Sequence, residues 1–581
     1  MRTRIQFVLF LFSITTFTFG KEGDKLGEIV GTVVQAETQE PIIGANIVIV
    51  GTTQGTTSNT EGNFSIKNVA IGTCQVRVSS IGFETRVITD VVVNNTKPAE
   101  LKVSLRETGL ELETTEVVAT YFSKNSDAPL STQTQSNEEI RRLPGGLEDV
   151  VRAISILPGV AQVQAGRNDL IVRGGAPSEN LYVIDNLEIP NINHFGTQGA
   201  SGGPLSFINL DYVRGTQFSS GGFGVRYGDK LSSVLTLDLQ DGRKDKLGGK
   251  LTISASQFGV NLEGPINEQN SFLFSARRSY LDFIFKAAGF SFVPEYWDFL
   301  GKSSFKLDSK NSISFVGIGV LDNVKYFNST SEKRFDNSRV LGSDQRQFIF
   351  GATWKHLAPS GYTNVTLGQT NVDYDYVQRD TVLQPVFSNT SFEYETSLRG
   401  EMVMQVGEHS ELTFGAIGKI VNFSSSMFLR QFLTDYGQNI SVNAQYDTMA
   451  LKAGFYTQFS RSIAPWKFTF GLRSDYFNLL EKNIVLSPRF SVSYKFSSST
   501  SVTASVGKYF QSPSYIWLVS NPANRNLRFI NVNQYILGVE QTMRSDTKIS
   551  IEGYVKKYSD YPASIKQPFL VLANSGAGFG G

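Results

Sequence analysis

Gly199-Ala200-Ser201-Gly202-Gly203 matches the G-x-S-x-G spacing that presents a serine nucleophile on a strand-to-helix turn. Its flanks lack that setting: Asn191–Gln198 reads as loop and Pro204 follows at once, so the motif reads as a flexible loop. The only histidines are His194, His356 and His409, and none has a Glu three residues on, which removes the zinc-peptidase pair. Cys74 is the single cysteine, so neither an internal disulfide nor a cysteine zinc site can form. Gly222, Gly224 and Gly228 miss the dinucleotide spacing, and neither a phosphate loop nor an EF-hand occurs. The sequence thus offers no catalytic residue, no metal ligand set and no cofactor site.

What remains is charge set at turns. Two short apolar runs, Leu170–Val172 and Leu181–Ile184, flank Arg173-Gly174-Gly175-Ala176-Pro177-Ser178, and an Asp185-Asn186 corner follows. A second Arg-Gly turn is expected at Val213-Arg214-Gly215. Arg173 and Asp185 suit hydrogen-bonding turn residues. Asn191, Asn193, His194 and Phe195 form a candidate ligand loop, in which His194 reads as solvated rather than as an iron or ligand contact. Upstream, Thr115-Glu116-Val117-Val118-Ala119-Thr120 follows the polar linker from Glu107 and reads as an extended segment able to join a sheet edge.

The elements that must position these residues are strands. Aromatics make up 12% of 581 residues, with 43 Phe and 22 Tyr, and 53 Gly against 18 Pro suit many strands with tight turns. A net charge of +1 gives no field for nucleic acid. Arg2 and Arg4 precede the apolar run Ile5–Phe19 and small Gly20, an export leader over residues 1–20. That run is too short to span a bilayer as a helix, which takes about 20 residues, so any membrane span must be β.

Residues 27–106 read as a β-sandwich of about seven short strands, among them Ala45–Val50, Phe64/Ile66, Cys74/Val76/Val78 and Val87–Val93. Ser136 and Glu139 form a capping box, and Leu147, Val150, Val151 and Ile154 fall at helical spacing up to Leu157-Pro158-Gly159. From Gly248 the chain alternates with period two. Phe490, Val492, Tyr494 and Phe496 interleave with Arg489, Ser491, Ser493 and Lys495, and Lys467–Tyr476 repeats the pattern. Strands of about ten residues with terminal aromatics (Tyr476, Phe477, Tyr509, Phe510) point to a transmembrane barrel. Because a Lys or Arg on a lipid face costs about 2–4 kcal/mol at midplane, Lys467, Arg473, Arg489 and Lys495 must face a wet lumen.

Two stretches carry a resemblance. GTVVQAETQEPIIGANIVIVGTTQGTTSNTEGNFSI resembles a carboxypeptidase-regulatory-like domain. The order of extended box, short helices, Arg-Gly turn, Asp corner and second Arg-Gly turn is similar to the plug of TonB-dependent outer-membrane receptors, with Asn186 where that family usually has Gly. The resemblance implies a mainly all-β chain: sandwich (27–106), linker and TonB box at Thr115–Thr120 (107–120), α+β plug (121–239) and barrel (248–581). About fourteen barrel strands are expected here against about twenty-two in the family, too few to enclose a plug of roughly 120 residues, so the barrel is expected to be incomplete. It further implies import of a siderophore–iron complex, cobalamin or oligosaccharide, driven by a TonB-type periplasmic partner, in a wall bounded by outer-membrane lipid. The alternative is a signalling or surface-binding receptor without transport. Arg173, Gly174, Gly175, Asp185, Arg214 and Gly215 become the plug's switch residues, with arginines paired to barrel carboxylates.

Overall fold

A computed structural model describes residues 26–107 and 131–581, apart from 165–166, 201, 255–256, 408, 434–436, 438, 498, 545–546 and 565–570. The leader, Thr115–Thr120 and Ser201 therefore lie outside the described residues.

The N-terminal body is a seven-stranded sandwich. Leu26–Gln35 sits between Asn63–Ala70 and Ala99–Leu105, and faces a sheet ordered Gly55–Thr57, Asn46–Ile49, Gly72–Ser79, Arg86–Val93. Alternation sends Ile29, Val33, Ile47, Val76 and Val78 into the space between the sheets, all fully buried. Cys74 packs half-buried against that core.

The second body is a five-stranded mixed sheet ordered Leu187–Ile189, Asn180–Ile184, Ser233–Leu239, Val213–Ser219, Thr132–Gln135. Its first helix, Asn137–Arg142, carries the expected capping box: the Ser136 hydroxyl accepts from the Glu139 amide and the Glu139 carboxylate from the Ser136 amide. The second is shorter than its spacing suggested. Asp149 caps Val150–Ser155, whereas Leu147 stands outside it, exposed and at φ +52°. A carboxylate accepting the Val151 and Arg152 amides sets the start there, and this outweighs the apolar spacing.

The third body is an antiparallel sheet of sixteen strands from Gly248–Ile253 to Leu572–Gly580, each paired to its sequence neighbour. The count exceeds the expected fourteen. One reason is Asn574–Ala577, whose Asn, Ser and Gly suit a loop but which is held in Leu572–Gly580 by pairing to Thr547–Ser564. Among the described residues the first and last strands are not paired with each other. Strands reach 24 and 25 residues in Ser410–Leu433 and Asn439–Ile463, well past the expected ten. A span needs only about 9–11 residues, so these strands rise beyond the bilayer.

Alternation sorts the wall. Phe350, Phe414, Phe455, Phe470 and Leu537 are exposed on the outer face. Arg473 and Arg489 point inward, 4% and 7% exposed. Of the strand-end aromatics, Tyr476 and Phe510 keep the outward parity, whereas Phe477 and Tyr509 turn inward. Phe477 and Tyr509 are buried because they share the inward parity of Arg473 and Arg489. Turns at one end are short, such as Pro359-Ser360 between paired Ala358 and Gly361. The other end carries the helices Leu281–Ala287, Ser331–Asn337 and Tyr515–Ser520 in longer loops, which marks it as the outward side.

Candidate functional site

The five-stranded body lies inside the sheet's concave face, and its charged turns meet inward side chains of the wall. Arg173 adopts φ +50° at the end of Leu170–Val172, where its amide donates to the Gly159 carbonyl at 2.8 Å. Its guanidinium pairs with Glu552 and lies 4.7 Å from the Tyr554 ring centroid. Glu552 also accepts from the Ser131 hydroxyl at 2.9 Å. Gly174 takes φ +76°, and Gly175 has no room for a side chain: a Cβ there would lie 1.7 Å from Ser232 Oγ. That serine donates to buried Glu179, which also accepts from Tyr558 of the wall at 2.9 Å. Gly175→Ala should therefore cost about 1–3 kcal/mol, the usual penalty of overpacking, read as a lower unfolding midpoint of the detergent-purified protein.

Asp185 and Asn186 take φ +46° and +70°, the two left-handed residues of a tight hairpin turn. Asn tolerates this conformation well, so its place in a Gly position needs no compensation. Asp185 pairs with Lys302 at 2.8 Å, and Lys302 reaches Asp241 at 3.2 Å. Here the polarity is the reverse of that expected for Arg173, with the carboxylate on the plug and the cation on the wall. Arg214 and Gly215 differ from expectation. They lie within the strand Val213–Ser219 at a register shift rather than in a turn, and Arg214 donates to the Leu239 carbonyl at 2.9 Å. The neighbouring strand Ser233–Leu239 pairs on both sides of the shift, which holds the pair extended.

The loop Asn191–Phe195 is not a solvated rim. Asn191 and Asn193 are buried and spent on internal bonds, including Asn191 Nδ2 to the Gly202 carbonyl at 2.9 Å. His194 is 1% exposed. Its Nδ1 lies 2.7 Å from Asp322 and its Nε2 3.3 Å from Asp298, and the ring stacks on Tyr296 at 3.9 Å. The Phe195 amide donates to Asp322 at 2.7 Å, and Arg277 holds Asp298 at 2.7 Å. Burial alone would lower the imidazole pKa, but Asp322 and Asp298 outweigh it and raise it from 6.5 to about 9. A single sequence hides this because both carboxylates come from distant strands. Beyond it, Thr197 and Gly199 are exposed on the outward side.

The segment Phe223–Asp229 supplies contacts that the motif reading missed. Arg489 donates to the carbonyls of Phe223, Gly224 and Tyr227 at 3.0, 2.6 and 2.9 Å while stacked 4.1 Å from the Tyr509 centroid. Arg226 pairs with Glu401 at 2.9 Å, Asp229 with Lys452 at 2.8 Å, and Glu188 with Lys419 at 2.7 Å. Burial works against the Asp229 carboxylate, yet Lys452 and Ser512 more than offset it and hold its pKa below the usual value. The signal for Glu188 was legible: one carboxylate between Leu187 and Ile189.

A plug corking a greasy-walled, polar-lined barrel defines a class, the plugged outer-membrane β-barrels. Three family models match: the carboxypeptidase-regulatory-like domain over residues 29–118, the TonB-dependent receptor plug over 124–233 and the TonB-dependent receptor β-barrel over 287–577. The chain belongs to the TonB-dependent receptor family, whose place is the outer membrane of Gram-negative bacteria. Among curated relatives, TonB-dependent receptor P3 of Formosa agariphila is 29% identical over 196 residues, which is 31% of this chain and 18% of that protein. SusC of Bacteroides thetaiotaomicron is 27% identical over 222 residues, 36% and 21% respectively. The alignments thus span about a fifth of these relatives' length. Of solved structures, a variant of the ferric enterobactin receptor PfeA from Pseudomonas aeruginosa has TM-score 0.60 and 14% identity over 78% of this chain and 76% of its own. The siderophore receptor PirA of the same organism has TM-score 0.59 and 15% identity, covering 78% and 80%.

Proposed function

We propose that the protein imports a scarce solute across the outer membrane by TonB-coupled active transport and carries no catalytic activity. The observation that carries this reading is the plug inside the wall, held by separate ion pairs (Arg173–Glu552, Asp185–Lys302, Arg226–Glu401, Asp229–Lys452) distributed around it. Such contacts retain the plug at rest and can be released one after another under force. The work comes from the inner membrane, where each charge moved is worth about 2.3 kcal/mol per 100 mV. Thr115–Thr120 is the proposed handle, pairing edge-on with a TonB-type periplasmic protein through main-chain hydrogen bonds. Thr197 and Gly199, exposed on the outward side, meet the solute, with Asn191–His194 as their footing. The solute is a siderophore–iron complex, cobalamin or an oligosaccharide. Fold likeness to siderophore receptors does not choose among the three.

Deleting Thr115–Thr120 tests the reading. Uptake of whichever probe the intact protein takes, from a ferric siderophore, cobalamin and an oligosaccharide, should fall to the level of cells lacking the protein, with surface binding retained. Uptake that survives the deletion refutes energised import.

A further inference from the structure

The sandwich does not hang free of the barrel. Lys97 pairs with Glu263 at 2.7 Å, Lys355 donates to Gln39 at 3.0 Å, Gln405 bonds both Gln35 (3.2 Å) and Glu107 (3.1 Å), and Lys495 reaches Glu84 at 3.4 Å. Glu263, Lys355, Gln405 and Lys495 lie beside short-turn ends of the second, sixth, eighth and twelfth strands of the sheet. The contacts therefore straddle the inward mouth instead of touching one side of it. The plug joins in: Asp90 of the sandwich pairs with Arg142 and accepts from Ser136 at 3.4 Å. These contacts between sandwich and wall are ionic or hydrogen bonds, the kind that seats a body without welding it.

From this geometry we propose that the N-terminal sandwich is a removable cap over the inward mouth, a second gate opened by the same pull that displaces the plug. The proposal rests on the import reading for its source of force. Thr115–Thr120 lies in the segment of chain that joins the sandwich to the plug. A force on that segment is shared by both bodies.

The test uses the full chain in outer membranes, in a Cys74→Ala background, with Lys97→Cys/Glu263→Cys on one side of the mouth and Glu84→Cys/Lys495→Cys on the other. A short bifunctional thiol reagent should link both pairs in de-energised cells. Yield should drop severalfold on energisation, and deleting Thr115–Thr120 should abolish that drop. As a second measurement, Lys97→Glu should lower the yield at the 84/495 pair, and Lys97→Glu with Glu263→Lys should restore it. Linking at neither or only one side overturns the cap and leaves import standing. Linking at both sides with a yield indifferent to energisation, while solute uptake still needs Thr115–Thr120, overturns the second gate alone.

Discussion

Arg173→Ala should destabilise the seated plug by about 3–5 kcal/mol, the cost of removing one member of a buried pair and leaving the other unpaired. Glu552 is 15% exposed at its side chain and would keep only the Ser131 hydroxyl as a described partner. The stacking on Tyr554 goes with the guanidinium. The cost belongs to the orphaned carboxylate more than to the lost bond, so Arg173→Ala combined with Glu552→Gln should recover most of it. Protease sensitivity of the plug and the chemical unfolding midpoint read both effects. A single-variant cost below about 1 kcal/mol would place the pair with exposed surface bridges and remove it from plug retention.

His194→Leu carries the second large expectation, again about 3–5 kcal/mol, because Asp322 and Asp298 would both face a hydrocarbon surface. Arg277 still serves Asp298, so Asp322 bears most of the loss. The pH dependence follows from the direction of the shift. A folded-state pKa raised to about 9 means the protonated ring stabilises the plug fully below about 6.5, and that contribution fades as pH climbs through 9. The stability difference between the natural protein and His194→Leu should therefore shrink between neutral pH and pH 10. A difference that stays constant would show that the ring acts by packing on Tyr296 alone.

How much of this was readable before the fold was known differs by residue. Period-two alternation placed Arg473 and Arg489 in the lumen correctly, because a sheet with lipid on one face permits only one assignment of charge. The capping box at Ser136 and Glu139 and the Asp185-Asn186 corner are local, and both formed as read. The same parity that placed the arginines also turns Phe477 and Tyr509 inward, so a strand-end aromatic is not by itself a lipid contact. His194 was misjudged for a different reason. Its burial is created by Asp298, Asp322 and Tyr296, over one hundred residues downstream, and no local pattern encodes that meeting. Glu552, the partner of Arg173, is separated from it by 379 residues and is invisible for the same reason. Leu147 shows that apolar spacing yields to a cap when the two disagree.

The central claim is that the plug must move inside the wall for solute to pass. Asp229→Cys with Lys452→Cys, whose natural side chains meet at 2.8 Å across the interface, allows a reversible covalent tether between the two. In cells taking up a ferric siderophore, cobalamin or oligosaccharide probe, the tethered protein should bind but not import, and reduction should restore import to that of the untethered variant. Import at an unchanged rate with the tether complete would contradict the account.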